Sequence, residues 1–217
     1  IGAVSGEGAE RLSQSWVWDV NNSMPMLATE TRTQGDPDST AGVATASQSF
    51  VYDSGGSPLA LLAPSGDSGP AGEGGIHSYL RDWLGGVGAV VSESGTPEWA
   101  YDYDPLGNPR GEGLDDGGLK LDDAAPDNPL QFTGQYRDSS QGRDRYFVRA
   151  RNYDPGTGRF GGVYPVPNSA GPTAVSGYAY AANRPTVLTY PTGMDPDEQG
   201  EAGPGSGSGN PSLEAAK

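Results

Sequence analysis

Four times along this chain an aromatic segment ends in Asp and runs into a Gly- or Asn-bearing turn. The copies are Trp18-Asp19 before Asn21-Asn22, Tyr52-Asp53 before Gly55-Gly56, Tyr103-Asp104 before Gly107-Asn108, and Tyr153-Asp154 before Gly156 and Gly158. Leu80-Arg81-Asp82 before Gly85-Gly86 is a looser copy. The spacing, about 16 to 34 residues, marks an internal repeat of hairpins stretched by inserted loops. The Asp side chain can accept hydrogen bonds from backbone N–H groups of the following turn, and Gly supplies the positive φ of a tight hairpin. Between the turns, Ser15–Trp18, Ser49–Tyr52, His77–Leu80, Glu98–Tyr103 and Arg145–Tyr153 read as strands, and helical periodicity is nearly absent. The expected fold class is all-β.

What the strands can bury is set by composition. Leu, Ile, Val and Phe make up only about 15% of the chain, whereas 35 Gly and 19 Pro bring it toward compositions that stay disordered. Eleven Tyr and four Trp offset this, so the reading is aromatic-anchored strands without a continuous aliphatic core. Thr33–Ser49, Pro64–Gly75, Gly111–Asn128 and the tail from Asp195 to Lys217 are Gly, Pro, Ser, Asp and Ala rich and are expected to be mobile loops.

A net charge of -15 argues against nucleic acid and against an anionic membrane surface. The charge is uneven: residues 111–128 carry six acids against one Lys, and residues 129–160 carry six Arg against three Asp. Without Cys, no disulfide or thiolate chemistry is available. No apolar run approaches the ~18 residues of a membrane span. The sequence starts at Ile1 without a Met or a secretory leader, so it is expected to be a piece of something longer.

Longer blocks carry a family resemblance. Tyr79-Leu80-Arg81-Asp82-Trp83-Leu84-Gly85-Gly86-Val87 and Tyr101-Asp102-Tyr103-Asp104-Pro105-Leu106-Gly107-Asn108 resemble consecutive YD repeats. Phe132-Thr133-Gly134-Gln135, then Arg149-Ala150-Arg151-Asn152-Tyr153-Asp154-Pro155-Gly156-Thr157-Gly158-Arg159-Phe160, then Tyr178–Pro185, then Pro191-Thr192-Gly193-Met194, resemble the Rhs repeat-associated core domain. That family takes in bacterial polymorphic toxins, Tc toxin C components and, more distantly, teneurins. The resemblance covers residues 13–194 and implies a sheet that spirals into a hollow shell, closed by the core domain, with a toxin released inside by self-cleavage. It divides the chain into YD-repeat strands at 1–110, with insertions at 33–49 and 64–75, an acidic loop at 111–128, the core at 129–194 and a tail at 195–217.

The resemblance also implies a site. Family self-cleavage resembles aspartic-protease chemistry, in which two nearby carboxylates share a proton so that one acts as base and the other as acid. The scissile bond falls on Met194-Asp195 and the family's Arg on Arg151, but the two acid positions fall on Tyr164 and Tyr190. A phenol with an ordinary pKa near ~10 donates a hydrogen bond but does not serve as general base toward water. The centre is therefore expected to be vestigial and the chain to have no activity of its own. The motif residues around it are Asp104, Gly107, Arg149, Asp154, Gly158, Arg159, Pro191 and Gly193. Read by period two instead, Arg145, Arg149 and Arg151 share one strand face, and such a row is ordinarily solvated or ion-paired. If Arg151 faces the old site, it could stack on Tyr164 or Tyr190, worth about 0.5–2 kcal/mol.

Other candidates are weaker. His77, the single histidine, has no metal-ligand pattern around it and reads as a strand-face residue. A Ser/His/Asp triad would have to use it and is set aside. Asp102 and Asp104 lie two apart, as in a cation site, but turn capping suits Asp104 better. No metal or cofactor is expected.

The leading reading is a non-catalytic, shell-closing segment of a secreted or cell-surface protein. Its partners would be the rest of its own shell and an encapsulated C-terminal toxin domain. One alternative is a self-processing aspartyl protease that recruits Asp154 or Asp195. Another is a teneurin-like module holding glycans on exposed Tyr and Trp rows.

Overall fold

The computed structural model describes residues 3–5, 11–20, 25–35, 44–63, 74–110, 118–139, 144–163, 176–189, 191, 193 and 197–198. Antiparallel strands dominate. Nine of them form one sheet whose spatial order is the chain order: β1 (Ala3–Ser5), β2 (Arg11–Asp19), β3 (Met26–Gly35), β4 (Ala44–Tyr52), β5 (Pro58–Ala63), β6 (Gly75–Arg81), β7 (Val87–Val91), β8 (Pro97–Ala100) and β9 (Leu119–Lys120). A second sheet holds β10 (Tyr136–Asp138), β11 (Arg145–Val148), β12 (Arg151–Asp154) and β13 (Arg159–Phe160). The pair β14 (Leu188–Thr189) and β15 (Asp197–Glu198) makes a third. The all-β hairpin architecture is as the repeat grammar implies.

The turns explain the grammar atom by atom. Asp53 Oδ1 accepts from the Gly55 and Ser57 N–H groups, both at 2.9 Å. Asp82 Oδ1 does the same for Leu84 and Gly86, and Asp104 Oδ1 for Leu106 and Asn108. In each the fourth residue is a Gly at positive φ: Gly56 at 82°, Gly85 at 81°, Gly107 at 91°. The looser copy at Asp82 is thus built like the others. A further turn, Ser92 to Thr96, has the same backbone bonds and Gly95 at 82°, with the Ser92 hydroxyl in the place of the carboxylate. Asn21 and Asn22 lie outside the described residues.

Several expected loops contain strand. Thr33–Gly35 and Ala44–Ser49 belong to β3 and β4, paired from Thr29↔Ser49 to Gln34↔Ala44. The β-branched Thr29 and Thr31 meet Ser49 and Ser47 across the ladder with hydroxyl contacts of 3.3 and 3.2 Å, so a polar sequence pairs without an apolar face. Gly75 opens β6. In the acidic segment Leu119–Lys120 forms β9, and Gly118 lies against the Tyr101 ring so closely that a β-carbon would collide with it. In the tail, Asp197–Glu198 pairs with β14. Residues 64–73, 111–117 and 199–217 lie outside the described residues.

Aromatic rings form the core. One cluster beneath the large sheet gathers Leu27, Phe50, Leu61, Tyr79, Val90 and Trp99, and a second under the small sheet gathers Phe132, Tyr146, Tyr153, Phe160 and Tyr180. A run of ring contacts joins them, from Trp99 through Tyr101, Tyr103 and Phe132 to Tyr146 and Tyr180, at centroid distances of 5.7 to 6.1 Å. Gly107 permits this: its β-carbon would fall 2.6 Å from the Phe132 ring. Buried polar groups stitch distant segments as well. Glu30, fully buried, accepts from Tyr136 Oη at 2.9 Å and Gln48 Nε2 at 2.9 Å, and Tyr136 Oη accepts from Trp16 Nε1 at 2.9 Å.

Candidate functional site

The stretch expected as one strand from Arg145 to Tyr153 is a hairpin, with β11 and β12 joined at Arg149-Ala150 and Arg149 at φ 45°. The turn breaks the supposed row of arginines. Arg145 remains on β11, Arg149 occupies the tip, and Arg151 is buried on β12. Arg151 is buried and Arg149 partly so. Both turn back onto the segment that holds Pro191 and Gly193.

Arg151 Nε donates to the Gly193 carbonyl at 2.5 Å and Nη1 to the Gly177 carbonyl at 3.2 Å. Its guanidinium carbon lies over Phe160, 3.5 Å from the ring centroid, a cation–π contact in a desolvated place. Arg149 Nη1 donates to the Pro191 carbonyl and, at 3.0 Å, to Gln135 Oε1. Its Nε reaches the Pro25 carbonyl at 3.0 Å, and Nη2 lies 3.0 Å from Met26 Sδ. Burial pulls the Arg149 guanidinium below its ordinary pKa, partly opposed by the Tyr52 phenol. Gly193 sits at φ 72° against the hairpin, where a β-carbon would collide with the Val148 carbonyl. Gln135, Arg149, Arg151, Pro191 and Gly193, drawn from three separate sequence blocks, therefore converge around one hairpin.

The other motif residues support this centre from outside. Asn108, held by Asp104 Oδ2 at 2.8 Å, donates on to the Pro155 carbonyl at 3.0 Å. Tyr153 and Tyr146 donate to the Leu106 and Gly107 carbonyls at 2.8 and 3.0 Å. The Asp104 turn is thereby docked onto the core block, and Gly158, at φ 65°, packs against Leu106. Asp154 Oδ1 accepts from Thr157 N at 3.2 Å, a turn role, and Arg159 is exposed on β13. Asp102 is exposed, 3.9 Å from Arg110. Tyr164, Tyr190, Met194 and Asp195 lie outside the described residues.

Two expectations are corrected. His77 is buried with Nδ1 2.7 Å from Glu98 Oε2, a partner supplied by a strand 21 residues on. The Tyr and Trp rows imagined as exposed are largely packed inward, because their rings are the core; among the described aromatics Trp83 and Tyr178 stand out as exposed. Two functional-looking groups gave no sequence signal: Glu30, inside a Thr-rich strand, and Asn128, buried at the end of an acidic run.

The fold is a β-hairpin meander with Asp-capped turns, packed against an aromatic core block. No protein-family model matches the chain. It is 32% identical over 118 residues to the tRNA3(Ser)-specific nuclease WapA of Bacillus spizizenii, spanning 54% of this chain and 5% of that protein. It is 41% identical over 66 residues to toxin protein Tse5 of Pseudomonas aeruginosa, spanning 30% of this chain and 5% of that protein. Among solved structures, the TcdB2-TccC3 crystal structure superposes with a TM-score of 0.61 at 18% identity, covering 86% of this chain and 9% of that one. The Tc holotoxin pore of Photorhabdus luminescens gives 0.58 at 17% identity, covering 92% of this chain and 10% of that one. These likenesses agree with the YD-repeat resemblance read from the sequence, and the chain spans about a twentieth of the length of the curated relatives it matches here.

Proposed function

We propose that this chain closes the shell wall of a secreted or surface-displayed Rhs protein and that its self-cleavage centre is inactive. Its partners on this reading are the remaining strands of the same shell and a toxin domain enclosed by it. The observation that carries the reading is the double arginine hold on the Pro191 and Gly193 carbonyls. A segment just before Met194-Asp195 is fastened to the hairpin, while phenols occupy both positions where the chemistry needs carboxylates. Asp154 is engaged in its own turn, which disfavours its recruitment as a substitute acid.

Intact mass of the purified chain tests this. The unaltered chain and either single change, Tyr164→Asp or Tyr190→Asp, should stay whole, because one carboxylate without its partner ionises normally and holds no shared proton. The double change should yield a fragment ending at Met194. Cleavage of the unaltered chain would overturn the reading, and an intact double variant would place further loss outside the acids.

A further inference from the structure

The large sheet has two faces, and the core covers one of them. Phe50, Leu61, Tyr79 and Val90 are buried in the core, so the residues that alternate with them along their strands point the other way. On that outer side run four neighbouring ladder rows, from Ser15 to Ser47, Val17 to Ile76, Val51 to Val91 and Leu80 to Ala100. They contain only Val, Leu, Ile, Ala, Ser and Thr. Within them Val17, Val51, Leu62, Ile76 and Leu80 are 38 to 61% exposed. Single exposed apolar side chains are ordinary, but apolar neighbours gathered on one uncharged face mark an interaction site.

Charge selects what covers it. The chain carries a net charge of -15, so two copies repel each other wherever their carboxylates meet. These rows hold no carboxylate, and they give a strongly basic or acidic partner nothing to pair with. A sheet face suits another sheet face: two of them stack ~10 Å apart with interdigitated side chains, and a two-fold axis lets one patch meet itself. At the spacing of strands and of alternate residues, each facing side chain covers about 32 Å², so the rows offer about 500 Å² per copy. A pair would bury about 1,000 Å², the size at which specific interfaces begin. We propose that the outer face of the large sheet joins two copies of this chain, with Leu62 and Ile76 central in the contact and the sheet edges left free for further strands.

Sedimentation equilibrium of the full chain from about 1 to about 300 μM tests this, since an interface of this size holds at about micromolar strength or weaker. A monomer–dimer equilibrium is expected. It should tighten as salt is raised, because screening relieves repulsion between two acidic copies while the contact holds no ion pair to weaken. Leu62→Glu with Ile76→Glu should weaken it by about tenfold or more, since like charges then enter a desolvated contact. Leu62→Ser with Ile76→Thr, which extends the hydroxyl character of the neighbouring rows, should weaken it in the same direction without adding charge. Far-UV dichroism of both variants should match that of the unaltered chain. A monomer throughout the range, a dimer that dissociates as salt is raised, or undiminished association of either folded variant would each overturn the proposal. The last result would place the association at the sheet edges instead.

Discussion

Asn128 uses every hydrogen-bonding position of its amide. Oδ1 accepts from Tyr79 Oη at 2.9 Å and Leu130 N at 3.1 Å, and Nδ2 donates to Tyr101 Oη at 3.0 Å and the Leu130 carbonyl at 2.7 Å. Replacing it with Leu keeps the volume close and strands three buried groups: the Tyr79 hydroxyl and both backbone groups of Leu130. At the lower end of the cost of an unsatisfied buried group, the loss is about 3–4 kcal/mol. Tyr79→Phe removes one bond and leaves Oδ1 still engaged by Leu130 N, so it should cost about 1 kcal/mol. Urea unfolding of the two variants, read as a change in midpoint at constant m, compares them directly. If Asn128→Leu costs no more than Tyr79→Phe, then water satisfies these groups and Asn128 is not the stitch between β6 and the core block.

The remaining expectations concern the turns and the phenols. Ser92→Asp should stabilise by about 0.5–1 kcal/mol in thermal melts, since a carboxylate there could accept two turn N–H groups where the hydroxyl now accepts one. Burial pushes the Asp53 carboxyl up, but the Ser57 N–H, Arg81 and the Gly55 N–H outweigh it and hold its pKa below the ordinary value. Its stabilisation is therefore complete above the unfolded carboxyl pKa and lost as pH falls through the folded one, so Asp53→Asn should flatten the acid limb of stability against pH. Tyr52, Tyr79, Tyr103, Tyr136, Tyr146 and Tyr153 are all pushed up, first by burial. Stability is then intact below the unfolded phenol value near ~10 and lost as pH rises above it. Tyrosinate absorbance should accordingly appear together with loss of near-UV dichroism, and ionisation of these rings without unfolding would refute their burial.

The turns were legible because their chemistry is local: Asp53, its acceptor geometry and Gly56 lie within four residues of each other. Burial of Tyr and Trp was legible because few other large side chains exist to fill a core. Strand β3 and the first part of β4, residues 44–48, were missed because Thr and Ser ladders look like loops when pairing partners are unseen. The Arg145–Tyr153 stretch was misread because its turn contains no Gly or Asn; Arg149 adopts φ 45° where its own side-chain bonds to Pro25, Gln135 and Pro191 hold it. Glu98 beside His77 and Tyr136 beside Glu30 were invisible for a different reason. Nothing in either segment encodes a partner 21 or 106 residues away.

In the large sheet every strand pairs with its neighbour in sequence, so each can add to the last as soon as it leaves the ribosome, closing only a short loop each time. The contacts that reach back to the first strands arrive late. Tyr136 seals Glu30 and Trp16, and Arg149 reaches Pro25 and Met26, only after more than a hundred further residues have been made. Growth of the wall and its fastening are thus separated in time during synthesis. A ribosome stalled before Tyr136 would display a sheet already assembled in order, with Glu30 still waiting for its latch.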